Sequence, residues 1–408
     1  MEGNVWYGYT KGQWVKLIAC YLIFFFFGAI ESSQSVYYSV MKNELAIPYN
    51  VQGFLVSMTS WSFILGSPLV GYIMTLVDVK PIIIAGYAAY SCAYSALLGL
   101  KVLWCVFISL FVEGLGGVLL DNGINTLSTV LFTQHRGVMM NYLHFFYGAG
   151  CVLGPLYSSW FMSAMKMGYR GAFVGLLVFC AIGLLLTITC KLSLKTEMPP
   201  KEEEAAVLIP EDKPTLTIWK SFITPMVWLL GINMGAVCAI ESITMNWAPL
   251  YLQYLYHIDP KEGGAHFIAL FYVFYTLARL VTGFVVDRVG DELSMILFNV
   301  LLIAWYLLCF FLGKRGVWLL TFTGFFISPF YPTALSVAMH VFGAEAKNTI
   351  SVILCFSNVV SLVVQVVIGF VNEYISPEWG YPVLSIATSC VIILCMLLAC
   401  FWLKKHPK

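Results

Sequence analysis

Charge is what this chain has least of. Asp, Glu, Lys and Arg make up 11% of its 408 residues while 60% are hydrophobic, against roughly 25% charged in an ordinary soluble domain. So little polar surface cannot coat a water-soluble particle, and a formal net charge of +1 leaves no electrostatic basis for a nucleic-acid partner. A disulfide or metal framework is missing too. The twelve cysteines sit singly in or at the ends of apolar runs, with no C-x-x-C pair, as small buried hydrophobes do. The six histidines show no H-x-x-x-H or H-E-x-x-H spacing, which argues against a metalloenzyme. Without a catalytic cluster the chain does not read as an enzyme. No N-x-S/T acceptor occurs, so glycosylation gives no hint of compartment.

What is present is apolar sequence in long runs. They fall near residues 14–41, 51–77, 80–100, 102–132, 138–164 and 171–193, and again near 222–254, 264–287, 292–313, 316–342, 348–374 and 381–403. Each is long enough to cross a bilayer as a helix, which takes about 20 residues. The first run follows a Lys as a secretory signal would, but no small-residue cleavage site comes after it, and it is kept as the first span. The one long polar segment carries Pro-Pro, Lys-Glu-Glu-Glu and Pro-Glu-Asp-Lys-Pro and reads as a solvated linker. The expected architecture is an all-α membrane protein of twelve transmembrane helices in two pseudo-symmetric six-helix bundles. Residues 1–194 and 219–408 form the bundles and 195–218 the linker. Gly28-Ala29-Ile30-Glu31-Ser32 in the first span recurs as Cys238-Ala239-Ile240-Glu241-Ser242 in the seventh, and Gly71 answers Gly283 at nearly the same offset. Such parallel repeats place a substrate site between them near mid-bilayer. Lys and Arg favour one side, with Lys11, Lys16, Lys80, Arg136, Lys195, Lys201, Lys213, Arg288, Lys347 and Lys404 among them. The positive-inside bias then puts both termini and the linker in the cytoplasm of a plasma or bacterial inner membrane.

Four acids lie within the apolar runs: Glu31, Glu113, Asp121 and Glu241. On the insertion scale each would cost about 2.5–3.5 kcal/mol facing lipid, so they are expected to face protein or a water-reached cavity. Arg279, within the eighth span, is a candidate partner. Helical spacing gives the acids neighbours. Glu31, Gln34 and Tyr38 form one stripe in the first span, and Gly117, Asp121, Asn125 and Ser128 another in the fourth. The fifth span offers Asn141, His144 and Gly148, the seventh Glu241, Thr244 and Ala248, the eleventh Asn358, Ser361 and Gln365. An isolated polar stripe is interhelical glue; five of them point to a shared cavity. Donors and acceptors in that mixture suit a ligand rich in hydroxyls, with Trp61, Tyr147 and Trp247 available for its apolar faces. A carboxylate at such a depth can take up a cation on one side and release it on the other, Asp121 first, then Glu31 or Glu241. Proton and sodium both suit carboxylate oxygens, and no other cofactor is expected.

Two motifs concern motion. Gly283-x-x-x-Asp287-Arg288-x-Gly290 places a small residue, an acid and a base at a turn, either as a conformation-dependent clasp or as a helix stop. Ser328-Pro329-Phe330-Tyr331-Pro332 puts two prolines in the tenth span and predicts a kink.

Together these features resemble the major facilitator superfamily, whose 6+6 architecture covers the whole chain. The Gly283–Gly290 segment is similar to its signature loop. The counterpart after the second span departs from it, with Thr75 where an acid is expected and Asp78 and Lys80 displaced. Asp121-Asn122-Gly123-Ile124-Asn125 resembles the acid-x-small-x-Asn element of the fucose permease and sodium-dependent glucose transporter branch. So do Asn141-x-x-His144-Phe145-Phe146-Tyr147-Gly148, Glu241 with Trp247 and Tyr251, and Ala278-Arg279. Glu31 lies earlier than a gapless alignment places the branch's first-span acid. The resemblance implies the major facilitator fold, usually a monomer, and a cation-driven carrier of a hexose or deoxyhexose. Asp121, Glu31 and Glu241 are then the coupling acids. Gln34, Tyr38, Asn125, Asn141, His144, Trp247, Asn358 and Gln365 are the expected substrate contacts, with Gly283, Asp287, Arg288 and Arg279 in gating.

Two other classes compete. Proton-coupled efflux of amphipathic drugs or metabolites would use the same acids, and the 16% aromatic content suits it. A non-transporting receptor or enzyme is disfavoured by the missing catalytic clusters and the short linker.

Overall fold

The computed structural model describes residues 8–100, 102–193, 218–342 and 346–405. The expected linker therefore lies outside the described residues except for Ile218, as do Lys195, Lys201 and Lys213 of the charge-bias argument. The described chain is helical almost throughout, because a backbone in lipid has no water to satisfy it and must close its hydrogen bonds within each segment.

The first six spans are α1 (Lys11–Glu44), α2 with α3 (Tyr49–Val56 and Met58–Leu76), α4 (Val79–Gly99), α5 (Leu103–Leu131), α6 (Arg136–Met165) and α7 (Tyr169–Thr189). After the short α8 (Ile218–Ile223) come α9 (Pro225–Tyr256), α10 (Ala265–Val289), α11 (Asp291–Leu312), a broken tenth span, α14 (Ala346–Tyr374) and α15 (Pro377–Lys405). Eleven of these segments are long and apolar enough to cross a membrane. The remaining one, α6, has 30 residues and reaches about 45 Å at the helical rise; its first turns carry Asn141 and His144, which lowers its apolar content. The tenth span breaks as its prolines require. A 3₁₀ stretch (Trp318–Phe322) leads into α12 (Thr323–Ile327), and α13 (Phe330–Phe342) begins after Ser328-Pro329, where proline offers no N–H to continue the ladder.

The chain divides into two compact units: residues 1–33 with 62–214, and residues 34–61 with 215–408. Within the first, α6 meets α1 backbone to backbone at Gly150 and Gly154. A Cβ on Gly150 would overlap the Phe25 carbonyl oxygen and one on Gly154 that of Ala29, the small-x-x-x-small arrangement that lets membrane helices meet backbone to backbone. Asp78 caps α4 through the Val79 N–H at 2.7 Å and accepts from the Ser193 hydroxyl at 2.5 Å. Lys80 donates to the Ile188 and Cys190 carbonyls at 2.8 and 2.9 Å, closing the C-terminal end of α7, where a cation meets the orphan carbonyls. The displaced acid and base after the second span thus fasten helix ends. In the second unit α9 packs on α14 and α15, and α2 lies along α14.

Candidate functional site

Two carboxylates of the first unit, Glu31 near the middle of α1 and Asp121 near the middle of α5, are brought near each other, Glu31 reaching α5 at Gly117, one turn before Asp121. Each is half-buried. The Tyr90 hydroxyl of α4 donates to Glu31 Oε1, and the Asn125 amide donates to Asp121 Oδ1 at 2.8 Å. Asn125 sits one turn beyond Asp121, so the i, i+4 stripe read from the sequence supplies the acid's own partner. Gly117, one turn earlier, makes room for the pair: a Cβ there would stand 3.0 Å from both Glu31 Oε1 and the Tyr90 oxygen. Deeper in the same unit the Tyr94 hydroxyl donates to Glu113 Oε1 at 2.9 Å, and the rings of Tyr90 and Tyr94 stack with centroids 5.8 Å apart. Neither Glu31 nor Asp121 has a Lys or Arg within ion-pair distance among the described residues.

The second unit treats its acid differently. Glu241, near the middle of α9, accepts from the Tyr272 hydroxyl at 3.1 Å and the Tyr275 hydroxyl at 3.0 Å. The Tyr275 oxygen in turn accepts from Arg279 Nη2 at 3.2 Å, and the guanidinium lies 4.9 Å over the Tyr275 ring. Arg279 thus serves as the expected counter-charge of an intramembrane acid, with a phenol between them. Tyr272, Tyr275 and Arg279 occupy i, i+3 and i+7 of α10, and Tyr90 and Tyr94 occupy i and i+4 of α4. These tyrosine stripes are missing from the residues singled out by sequence, because aromatic residues are abundant in this chain. Acid-bearing helices without nearby bases are the signal that could have found them.

The remaining expected residues are distributed as follows. Trp247 and Gln365 are both buried and bond to each other, indole N–H to Oε1 at 2.6 Å, which satisfies the indole and leaves Gln365 Nε2 without a hydrogen-bond partner among the described residues. Gln34 and Tyr38 are buried in the second unit, whereas Glu31, on the same stripe of α1, belongs to the first. Asn358 is half-buried and donates to the Leu354 carbonyl at 2.9 Å. His144 is half-buried, edge-on to Phe24 at 5.7 Å, and Asn141 is exposed. Gly283 has open space where a Cβ would stand. Asp287 and Arg288 are exposed and form no hydrogen bond or ion pair with another described residue. In this structure they end α10 before Gly290, whose φ of 92° turns the chain.

The family model of the Major Facilitator Superfamily matches residues 20–320 and 230–408. Among curated proteins, the multidrug resistance protein MdtH of Shigella boydii serotype 4 (strain Sb227) is 26% identical over 195 residues, and that of Salmonella typhi 28% over 169. The chain spans less than half the length of these relatives, 46% and 40%. Among solved structures, a D-xylose-proton symporter superposes with a TM-score of 0.75 at 14% identity, covering 95% of this chain and 97% of its own. The nucleoside transporter NupG gives 0.72 at 14%, covering 97% and 100%. At such identities these likenesses concern the fold.

Proposed function

Because this chain belongs to the major facilitator superfamily, we propose that it is a secondary active transporter that moves a monosaccharide, a hexose or deoxyhexose, by alternating access coupled to a proton or sodium ion. The cation is carried by the carboxylate pair of the first unit. One observation carries the coupling. Glu31 reaches α5 at Gly117, one turn from Asp121, and the hydrogen bonds of the two acids come from a phenol and an amide rather than from a base. Two carboxylates in a medium of low dielectric repel, and a cation bound between them relieves the repulsion. Their partial exposure gives that cation a route in and out. Glu241 already has Arg279 as its counter-charge, so it fits the substrate side better than the cation side.

The sugar assignment is supported by the hydroxyl-matching amides Asn125 and Asn358 and by the motif resemblance in the fourth and fifth spans. The test is transport into liposomes holding the purified protein, under an imposed inward proton or sodium gradient, with labelled hexoses and deoxyhexoses. Accumulation that vanishes in Asp121→Asn is the expected result.

A second reading, proton-coupled efflux of amphipathic compounds, has its own support in the partial match to proteins named for multidrug resistance. The same liposomes separate the two. Indifference to every sugar, together with gradient-driven loss of a lipophilic dye, would replace the first reading by the second.

A further inference from the structure

The second unit carries an apolar groove that the transport reading does not use. Its walls are Leu270 and Phe274 of α10, Trp305 of α11, and Trp318, Leu319 and Phe322 of the 3₁₀ stretch that opens the tenth span, around a cavity of about 230 Å³. We propose that this groove holds one acyl chain of an anionic phospholipid, with Lys314 and Arg315 binding its phosphate. The inference goes beyond the sugar and efflux readings and rests only on these spans crossing a bilayer.

Local structure makes the groove. Side chains of a 3₁₀ helix eclipse at i and i+3, so Leu319 and Phe322 share one side of the stretch. Trp305 ties that stretch to α11: its indole N–H donates to the Leu319 carbonyl at 2.8 Å, and its ring centre lies 5.2 Å from that of Phe322. Phe274 of α10 meets Phe322 edge-on at 5.1 Å. Trp318 and Leu319 are 46% and 42% exposed, so the groove opens on a surface that faces lipid in a spanning segment. Inside it the polar groups are already satisfied, the indole by Leu319 and the Thr321 hydroxyl by the Trp318 carbonyl at 2.7 Å. The walls therefore offer contact area and no free donor, which suits hydrocarbon. Drug-sized ligands occupy about 300–1,000 Å³, more than this groove encloses.

The cations follow from connectivity. Gly313 to Val317 join α11 to the 3₁₀ stretch, so this turn lies at the end of the groove where its two walls meet. Gly313 starts it at a φ of 55°. Gly316 presses it onto α11, since a Cβ there would stand 2.2 Å from the Cys309 carbonyl oxygen. Lys314 and Arg315 are exposed and form no hydrogen bond or ion pair with another described residue. The start of α10 reaches the same end and brings His266, exposed and on the stripe of Leu270 and Phe274. The acids there, Asp259 and Glu262, belong to the preceding turn, where Asp259 caps the Lys261 N–H at 3.0 Å. Two adjacent cations on the side where the positive-inside bias thins Lys and Arg are not explained by topology. Beside an acyl-sized groove, a phosphodiester supplies their counter-charge.

The test uses the full-length protein in liposomes doped with phosphatidylglycerol or phosphatidylcholine, each bearing a photoactivatable diazirine midway along one acyl chain. Labelled peptides are read by mass spectrometry. The phosphatidylglycerol probe should label the Phe274 and Trp305 peptides about five- to thirtyfold more than the phosphatidylcholine probe, the factor for one to two basic residues at a membrane surface. The α5 peptide bearing Trp104, 77% exposed in the first unit, should take both probes equally. Lys314→Ala with Arg315→Ala, both at exposed positions, should erase the preference, and so should about 1 M salt, which shortens the screening length to about 3 Å. Leu270→Trp, which fills the groove and keeps both cations, should remove the labelling of Trp305. Equal labelling by the two probes in the unaltered protein would overturn the proposal, leaving the groove to ordinary annular lipid. A preference that survives the loss of both cations, or stronger labelling by a sterol diazirine, would overturn it as well. No transport is measured, so failure here and failure of the sugar assignment are separate results.

Discussion

Gly117→Ala adds one methyl group beside the paired carboxylates, and the structure fixes what that methyl meets. Its Cβ would lie 3.0 Å from Glu31 Oε1 and from the Tyr90 oxygen, and 3.8 Å from Glu31 Cδ. Carbon and oxygen prefer a few tenths of an ångström more, so either the carboxylate or the phenol must retreat, and the Tyr90–Glu31 hydrogen bond stretches. Interhelical hydrogen bonds in bilayers are worth about 0.6 kcal/mol on average and about 1.7 at most, and this one, with a carboxylate acceptor, belongs toward the upper end. Against that loss, alanine favours a helix over glycine by about 0.5–1 kcal/mol. The two effects nearly cancel in a single melting curve, so the informative quantity is a difference.

Gly71 of α3 supplies the reference, because a Cβ there meets nothing within 4 Å. Gly71→Ala keeps the propensity gain and has no clash. Gly117→Ala should therefore be less stable than Gly71→Ala by about 1–2 kcal/mol, measured by thermal unfolding of the detergent-solubilised protein under one protocol. Tyr90→Phe removes the same hydrogen bond from the other side, so the double variant should lose less than the sum of the two single losses. Equal stability of Gly117→Ala and Gly71→Ala, or strict additivity with Tyr90→Phe, would refute the packing of Glu31, Tyr90 and Gly117 as one unit.

Three further outcomes are expected. Gly154→Leu, which drives a branched side chain into the Ala29 carbonyl and the Ser32 hydroxyl, should abolish the monodisperse size-exclusion peak, whereas Gly12→Leu, with open space around it, should leave it intact. Lys80→Met frees the Ile188 and Cys190 carbonyls; hydrogen exchange of the last turn of α7 should accelerate about two- to fivefold, the factor for a terminal cation worth about 0.3–1 kcal/mol, with the middle of α7 unchanged. Arg279→Leu should lower the melting temperature by leaving Glu241 without its counter-charge, and adding Glu241→Gln should recover much of that loss, since the penalty lies in the unmatched charge. No recovery would mean that Arg279 stabilises α10 by packing alone.

The twelve spans were legible because bilayer thickness imposes a length and lipid imposes composition, and both are properties of local sequence. The break at Pro329 was equally local. Partnership was not. Asp121 and Asn125 could be paired from helical spacing, but the Tyr90 donor to Glu31 comes from a helix almost sixty positions away, and nothing periodic in α4 distinguishes that phenol from its neighbours Tyr87 and Tyr94. Trp247 and Gln365 illustrate the same gap from the other side. Each carries the polar chemistry of a ligand contact, yet the whole of Trp247's and half of Gln365's goes into one bond between α9 and α14. A side chain's capacity to bind is written in its type; whether another helix already occupies that capacity is decided by packing.

That distinction bears on how the two units handle intramembrane charge. In the second unit the cost of Glu241 is met by a base on α10, with Tyr275 between them, an arrangement that is electrically neutral without any ligand. In the first unit Glu31 and Asp121 have only neutral donors, so these two acids gain a counter-charge only from a bound cation. Under the proposed function, the self-neutralised acid would hold its geometry throughout the cycle, while the unneutralised acids would couple movement to cation occupancy. Exchanging the two situations is a direct test. Introducing a base beside Glu31, as Gly117→Lys cannot do for lack of space but Tyr90→Lys can, should leave substrate exchange across liposomes running while abolishing its dependence on the cation gradient. If Tyr90→Lys keeps full gradient-driven accumulation, the coupling ion is not carried by Glu31 and Asp121.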